Sequence, residues 1–351
     1  MDLASLQKAY ARATGSPAAA PTVLRLPGGA GNRIYWRVSE PGRSAVVMEL
    51  PPEPGKSEEV SKDAAPAELP FLNVHRYLHG LGVRVPRILL DRSHEGFLVI
   101  EDLGDVTLET ALSGSKADGG AAIYEAAIDQ LALLRARAEH NVDTACLAYG
   151  RAFDFDLYQW EFEHFIEYGI LARGAKPSDR ELVILRTAFT EISRVLAAAP
   201  RGFTHRDYQS RNIMVVPPGR GRTEQVVIDF QDALQGPRQY DLVCLLRDSY
   251  VELPRPLVER MLHRYLERFA QEGGPSLPEA EFIGLFDLLT VQRKLKDAGR
   301  FVFIDQVKKN PSFLAHIPAS LRYVKDALSR RPELHEVAAI LGAHVPELRA
   351  D

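Results

Sequence analysis

The residues with the clearest chemical potential fall within one stretch of the chain, 203–232. Asp207 follows His-Arg at its start, and Asn212 comes five residues later. After an apolar run and a turn rich in proline and glycine, a second apolar run leads to Asp229. Two short strands joined by that turn would hold the three side chains on one side, at neighbouring strand ends.

Transfer of a phosphoryl group from a nucleotide needs this set of groups. One carboxylate, Asp207, would accept the proton of the attacking hydroxyl, while Asn212 and Asp229 would hold the magnesium ion that bridges the phosphates. The order His-Arg-Asp, Asn and then a strand ending in Asp-Phe is that of the kinase catalytic loop. The alternative, structural carboxylates on an unrelated fold, requires both motifs to agree by chance in type, order and spacing.

The flanking residues resemble the aminoglycoside phosphotransferase family, the small-molecule branch of the kinase fold. Asp229-Phe230-Gln231 stands where protein kinases carry Asp-Phe-Gly, and no long activation segment separates it from the next helix. The resemblance implies an α+β, bilobal protein-kinase-like fold, with a β-rich nucleotide-binding lobe over residues 1–103 and a helical lobe over 104–351. Asp241 resembles the family's second aspartate, and we expect it to cap a helix over residues 242–253.

Bulk composition is typical of a globular enzyme. The chain has 351 residues, 46% of them hydrophobic, and its net charge of −4 argues against a nucleic-acid partner. The two cysteines, Cys146 and Cys244, lie in apolar surroundings and are predicted to be reduced core thiols. No signal-peptide pattern and no run of about 18 apolar residues is present, so we expect a cytoplasmic protein without membrane contact.

Sequence periodicity predicts a β-rich first part and a helical second part. After a helix over residues 3–14, strands are expected at 23–26, 34–38, 45–50, around 82–89 and at 96–100. Helices are expected at residues 69–78, 121–140, 154–168, 178–198, 255–271, 279–298, 317–329 and 332–341. Ser178 with Glu181 three residues on predicts a capping box for the helix that leads into the catalytic loop.

Candidate nucleotide-binding residues come from the first part of the chain. The glycine turn with Gly29, Gly31, Asn32 and Arg33 falls where the family covers the nucleotide phosphates, although an ordinary hairpin turn would have the same composition. Val46 is expected to face the nucleotide from the third strand. The exit of the fifth strand resembles the family's hinge, in which the Glu101 carbonyl and the Leu103 amide would bind adenine; a plain loop is the alternative.

The third strand departs from the kinase pattern. Met48 occupies the place of the lysine that contacts the α- and β-phosphates, and strand alternation turns Glu49 to the opposite face. Either another cation serves, with Arg33 preferred over Arg37 and Lys56, or the protein is a nucleotide-binding pseudokinase. The complete Asp207, Asn212 and Asp229 set favours an active enzyme that uses ATP and Mg²⁺; the choice between ATP and GTP stays open.

Several stretches resemble one branch of the family, the anomeric sugar kinases that act on N-acetylmuramate and N-acetylglucosamine in cell-wall recycling. They are residues 46–52, the catalytic loop 205–212 and the late helix segment 292–301. The resemblance implies a sugar acceptor, phosphorylated on its anomeric hydroxyl, and we count Arg211 of the loop among the catalytic residues. An aminoglycoside phosphotransferase or another small-alcohol kinase is the alternative, and the oligomeric state stays open.

Charge in the late helix offers a further indication about the acceptor. Polycationic aminoglycosides would favour a carboxylate-lined site, whereas this segment carries Arg293, Lys294, Lys296 and Arg300. Such a basic run is more often a solvated helix face, which is the expectation here. If some of these side chains face the cleft, they suit an anionic sugar.

Overall fold

The computed structural model describes residues 1–16, 21–27, 33–51, 68–113, 119–216 and 223–349. The chain divides into two compact units. The first comprises Met1–Leu108 with Ile213–Asp232, and the second comprises Glu109–Asn212 with Ala233–Asp351. The sequence-based division at residue 103 follows chain order, whereas the structure groups a segment from the second half of the chain with the first unit.

The first unit is built on a five-stranded antiparallel sheet in the order β1-β2-β3-β5-β4. Short runs of β-branched and aromatic residues broken by turns favour this structure. The strands are β1 (Thr22–Arg25), β2 (Ile34–Glu40), β3 (Arg43–Glu49), β4 (Ile88–Arg92) and β5 (Phe97–Glu101). Helix α2 (Pro70–Gly80) lies between β3 and β4 in the chain.

Helix α1 (Leu3–Thr14) covers one face of this sheet and has the bounds predicted from the sequence. Asp2 caps its first turn by accepting from the Ser5 backbone N–H, and Gly15 ends it with φ of 68°. The buried face of the helix packs against alternate strand residues, as a sheet with one apolar face requires. This core contains Leu6, Ala9, Tyr10, Val38, Ala45, Val47, Phe97 and Val99.

A hairpin from the second half of the chain, β7 (Ile213–Val216) and β8 (Glu224–Val227), completes the first unit. Backbone bonds attach it on both strands: Val215 N–H donates to the Val106 carbonyl at 2.8 Å, and Val227 N–H donates to the Arg84 carbonyl at 3.0 Å. These bonds explain why the segment groups with the first unit rather than with its neighbours in sequence.

In its described residues, the second unit is helical apart from one two-stranded sheet. That sheet pairs β6 (Arg201–Thr204) with β9 (Leu234–Pro237). No helix in the described part of the chain is both long enough and apolar enough to cross a membrane. The helices are α3 (Leu108–Ser113), α4 (Gly119–His140), α5 (Phe155–His164), α6 (Asp179–Ala198), α7 (Tyr240–Leu246), α8 (Arg255–Gln271), α9 (Glu279–Gln306), α10 (Ile317–Ser329) and α11 (His335–His344).

Local helix signals were reliable where they were strong. The capping box of α6 is present, since Ser178 accepts from the Glu181 N–H and Glu181 accepts from the Ser178 N–H. Helix α5 is shorter than predicted because the chain continues from Phe165 as one turn of π-helix to Ile170. Trp160 of α5 is 45% exposed, whereas Phe162 of the same helix is buried.

Helix α9 is longer than predicted, and its passage through Gly299 depends on close packing. A Cβ on Gly299 would lie 2.9 Å from the Phe165 Cα and 3.3 Å from the His164 carbonyl oxygen. The glycine therefore does not end the helix; it lets α9 approach the backbone of the π-helical turn. Glycine in a helix interior destabilises the helix, but at this position it permits a contact that no larger residue allows.

Substituting alanine at Gly299 should destabilise the protein. Because the clashing atoms belong to backbone, the second unit must shift, and we expect the free energy of unfolding to fall by about 1–3 kcal/mol. Gly284→Ala on the same helix is the matched control. Its Cβ would meet only the end of Arg331 at 3.5 Å, so it should be neutral or stabilising by up to about 1 kcal/mol. Chemical denaturation would measure both, and an equal response would contradict the packing argument.

Candidate active site

The backbone of the catalytic loop is held by one buried carboxylate. Asp241 accepts from the backbone N–H of His205 at 2.8 Å and from that of Arg206 at 3.0 Å. Arg206 has φ of 80°, in the left-handed region that non-glycine residues rarely adopt. The two N–H groups aimed at Asp241 stabilise this conformation and so fix the residue immediately before Asp207.

The predicted role of Asp241 as a helix cap was wrong. Helix α7 begins at Tyr240, one residue earlier, so Asp241 lies within its first turn and its side chain reaches the loop instead. Burial raises the pKa of Asp241, although the charge of His205 and the two backbone donors act in the opposite direction.

A second buried aspartate supports the far end of the loop. Asp248 accepts from the Ser210 N–H at 2.8 Å and from the Tyr250 N–H at 3.0 Å. Tyr208 lies between the loop positions that these two aspartates hold, and its hydroxyl donates to the Ala127 carbonyl of α4 at 2.9 Å. Asp248 could not be predicted from the sequence as a site residue, because an isolated aspartate carries no motif signal of its own.

Asp207 and Asn212 are brought together by this loop. The Asn212 side-chain N–H donates to the Asp207 carbonyl at 2.9 Å, which fixes the orientation of the amide and directs its oxygen away from that carbonyl. The side chain of Asp207 is 36% exposed, so a substrate hydroxyl can reach it. The pair thus presents a carboxylate and an amide oxygen at either end of one turn.

Arg293 of α9 reaches the Asp207 carboxylate. Its Nη2 donates to Asp207 Oδ1 at 3.1 Å. Burial alone would raise the pKa of Asp207, but the charges of Arg293, Arg206 and Lys296 outweigh it, and the pKa lies below its ordinary value. Asp207 is therefore ionised at neutral pH and can accept a hydrogen bond from a hydroxyl.

The prediction that the basic run of α9 is a solvated face was wrong. Arg293 and Lys294 are each only 2% exposed. Lys294 Nζ donates to Asp297 at 2.7 Å and to the Ser249 hydroxyl at 3.1 Å, and Lys296 lies 3.3 Å from the same Asp297 carboxylate. Buried charges persist only when they are paired, and this segment supplies its own partner in Asp297.

Arg211 is engaged by neighbours in the second unit. Its guanidinium makes two bonds to Glu109, at 2.7 and 3.0 Å, and its Cζ lies 3.5 Å from the centre of the Tyr250 ring. This bidentate pair fixes the side chain beside Asn212. The catalytic role assigned to Arg211 from the sequence stays a prediction, and these contacts define the position from which it would act.

Asp229 occupies the end of the β7–β8 hairpin segment in the first unit. It has φ of 64°, a left-handed conformation at a non-glycine residue. Gln231, which replaces the glycine of Asp-Phe-Gly, donates to Asp229 Oδ1 at 2.9 Å. Phe230 is buried, with its ring centre 5.0 Å from that of Phe71 on α2. Asp229 is thus held by Gln231 of the same motif, and Phe230 packs the motif against α2.

The face of the sheet opposite α1 carries the residues expected near a nucleotide. In the β2–β3 register Arg37 is paired with Val46, and Tyr35 is paired with Met48. Residues directly opposite each other point to the same face, so these four lie together. Met48 is fully buried, and Glu49 turns away as predicted, since the Met1 ammonium donates to it at 2.6 Å.

Tyr35 on this face lies close enough to Arg33 and to Asp229 for both charges to affect its pKa. Burial raises the pKa of Tyr35; the charge of Asp229 adds to the rise, while a hydrogen bond and the charge of Arg33 oppose it. Arg37 is differently placed, because its guanidinium pairs with Asp102 at 2.8 Å and with Asp105 at 2.9 Å. Of the two described candidates for the missing lysine's role, Arg37 is therefore already paired with two carboxylates, whereas Arg33 hydrogen-bonds with Tyr35.

The remaining nucleotide-site predictions concern the hinge and the glycine turn. The Glu101 carboxylate accepts from Arg84 at 2.7 Å and from the Arg87 backbone N–H at 3.0 Å, which fixes the strand exit two residues before Leu103. Gly29, Gly31 and Asn32, together with Lys56, lie outside the described residues.

The candidate metal ligands have suitable chemistry for magnesium. Among the described residues no group of three or more His, Cys, Asp or Glu side chains could hold a metal ion. Mg²⁺ does not require one, because it binds through one or two protein oxygens and completes its shell with water and phosphate. The amide oxygen of Asn212 and the carboxylate of Asp229 are each donors of this kind.

Comparison with known structures identifies the fold. A microcompartment-associated aminopropanol kinase aligns with a TM-score of 0.60 at 14% identity, covering 95% of this chain and 98% of the other. An ethanolamine kinase from Plasmodium vivax aligns with a TM-score of 0.58 at 12% identity, covering 87% of this chain and 81% of the other. The chain has the predicted kinase-like fold, with a β-rich first part and a helical second part.

Sequence comparison gives closer relatives. The chain is 36% identical to an N-acetylmuramate/N-acetylglucosamine kinase from Pseudomonas aeruginosa over 89% of its length and 85% of that protein. It is 31% identical to a kinase of the same name from Neisseria meningitidis, over 88% of this chain and 86% of that protein. Residues 22–279 match the phosphotransferase enzyme family, the family of the aminoglycoside phosphotransferases, and the chain belongs to it.

Proposed function

We propose that this protein is an ATP- and Mg²⁺-dependent sugar kinase that transfers the γ-phosphate to the anomeric hydroxyl of an amino sugar. The observation that carries the proposal is the braced loop that presents an ionised Asp207 beside Asn212. Two relatives above 30% identity named N-acetylmuramate/N-acetylglucosamine kinase support the choice of acceptor.

The residues divide the reaction between them. Asp207 accepts the proton of the sugar hydroxyl as its oxygen bonds to the γ-phosphorus and the bond from that phosphorus to the ADP oxygen breaks. Asn212 and Asp229 would hold Mg²⁺, which supplies neutralisation of charge on the phosphate oxygens. Arg33 would contact the phosphates in place of the absent lysine, with Val46, Glu101 and Leu103 around the adenine.

The low pKa of Asp207 is compatible with an anomeric acceptor. An anomeric hydroxyl is more acidic than an ordinary alcohol, so a carboxylate of low basicity can accept its proton as the phosphorus–oxygen bond forms. Lys296 of α9, whose charge acts on Asp207, favours a sugar with a carboxylate over a polycationic aminoglycoside. We also propose that the protein works in the cytoplasm, where ATP is available and where its two buried cysteines, which form no disulfide, would stay reduced.

A second function is favoured by one feature, the methionine at position 48. A protein without the phosphate-binding lysine could bind nucleotide without turning it over and act as a regulator. The preserved Asp207, Asn212 and Asp229 oppose this interpretation, and turnover separates the two directly.

An acceptor panel tests the proposed function. N-acetylmuramate, N-acetylglucosamine, glucosamine, glucose and kanamycin would each be incubated with ATP and Mg²⁺, and the products analysed by phosphorus NMR. We expect an acid-labile phosphate coupled to a single C1 proton with the N-acetylated sugars. Phosphorylation of kanamycin alone would identify an aminoglycoside phosphotransferase, and absence of turnover with nucleotide binding retained would identify a regulator.

Asp229→Ala should weaken nucleotide binding only when magnesium is present. Asp229 would be one of two protein ligands, so its loss would weaken the hold of the protein on the magnesium–nucleotide complex. Titration of ATP with Mg²⁺ and then with EDTA would measure this: the magnesium-dependent gain in affinity should disappear in the variant. An unchanged magnesium dependence would place the ligand elsewhere.

Arg33→Ala should raise the KM for ATP, since a cation near the phosphates is lost. The matched control is Arg37→Ala, which removes an arginine from the same face of the sheet that is already paired with Asp102 and Asp105. Steady-state kinetics with ATP varied would compare the two. A larger rise in KM for Arg37→Ala would transfer the phosphate-binding role to that residue.

A further inference from the structure

The buried guanidinium of Arg293 is fixed at two points before it meets the catalytic carboxylate. Its Nη1 donates to the Tyr240 hydroxyl at 2.7 Å, and its Cζ lies 5.0 Å from the centre of the same ring. Tyr240 is fully buried, with its ring centre 4.2 Å from that of Phe153. Arg293 is thus held in one orientation by a rigid aromatic stack. The bond from its Nη2 can in turn hold the Asp207 carboxylate in one orientation.

This arrangement is costly for a side chain that only fills space. The Nε of Arg293 is buried without a hydrogen-bond partner among the described residues. Burying a charge with incomplete hydrogen bonding destabilises a protein, and an apolar residue of similar volume is often better tolerated. Since nearly all of the side chain is shielded and both Nη atoms are used, Arg293 is also poorly placed to bind a sugar.

The bond to Asp207 is specific to one oxygen. Nη2 of Arg293 donates to Oδ1 at 3.1 Å, and no described residue is recorded as a donor to Oδ2. An Asp side chain bound at one oxygen loses its rotation about the Cβ–Cγ bond, so the other oxygen points in a defined direction. A general base must be within hydrogen-bond reach of the proton that it accepts, which makes this orientation a condition for catalysis.

We propose that Arg293 is a positioning residue: through Oδ1 it holds the Asp207 carboxylate so that Oδ2 faces the acceptor hydroxyl. The proposal rests on the function proposed above, with Asp207 as the base. It also gives Arg293 a role distinct from acceptor recognition, because this arginine acts on the enzyme's own base. Lys294 and Lys296 are paired with Asp297 instead.

A double-mutant cycle tests the proposal. Arg293→Gln retains a donor of shorter reach without the charge, and it should lower kcat on the order of 10²-fold, the loss typical of a reacting group misplaced by about 1 Å. The KM for ATP should stay within about twofold, since Arg293 acts on the acceptor side. In an Asp207→Asn background the same substitution should cause no further loss, because there is no base left to position.

Two further variants separate positioning from stability. Arg293→Lys retains the charge and one donor, and it should recover part of kcat even if Arg293→Gln folds poorly. Arg247→Gln is the matched control: Arg247 is also buried in the second unit, with a carboxylate partner in Asp326 at 3.0 Å and the Tyr323 ring 5.2 Å away. Arg247→Gln should lower the melting temperature about as much as Arg293→Gln does. The kcat of its folded form should stay within about twofold of that of the unsubstituted protein.

The outcomes are distinct. Losses that multiply in the Asp207→Asn background, or a kcat of Arg293→Gln no lower than that of Arg247→Gln, would overturn the positioning role while the unsubstituted protein still phosphorylates sugar. No recovery of kcat in a folded Arg293→Lys would also count against it. Absence of sugar phosphorylation by the unsubstituted protein would overturn the proposed function, and the positioning role with it.

Discussion

Two backbone N–H groups aimed at the Asp241 carboxylate are the constraint on which the rest of the site depends. They hold Arg206 in a left-handed conformation that the chain would otherwise avoid, and the direction of the next residue, Asp207, follows from it. A buried carboxylate is expensive to desolvate, and here the cost is offset by two charge-assisted hydrogen bonds. Asp248 holds the loop in the same way at Ser210, five residues after His205, by accepting from the Ser210 backbone N–H.

The electrostatics of the second unit follow from this framework. Once the loop is fixed, Asp207 lies where a cation from α9 can reach it, and the pairing with Arg293 helps to lower the pKa of Asp207 despite its burial. The helix can approach so closely because Gly299 removes the side chain that would collide with the π-helical turn. The close packing at Gly299 and the charge of Arg293 both belong to α9. The helix that packs closely against the π-helical turn is therefore also the one that carries the arginine bound to Asp207.

Sequence reasoning succeeded where the signal was local. The bounds of α1, the capping box at Ser178 and the kinase-like loop all depend on spacings of a few residues, and the fold follows from their order. It failed where contacts join distant positions. The pairing of Arg211 with Glu109, 102 residues away, and the bond from Arg293 to Asp207 leave no local pattern, and a run of cations is indistinguishable from a solvated face until its partners are known.

In the proposed reaction, Asp207 removes the proton of the acceptor hydroxyl. Replacing it with asparagine preserves size and the contacts of the loop but removes the ability to accept a proton. The decisive measurement is kcat for sugar phosphorylation by Asp207→Asn together with the dissociation constant for ATP. We predict a fall in kcat of about 10²–10⁴-fold with ATP affinity unchanged. Near-normal turnover in this variant would contradict the account.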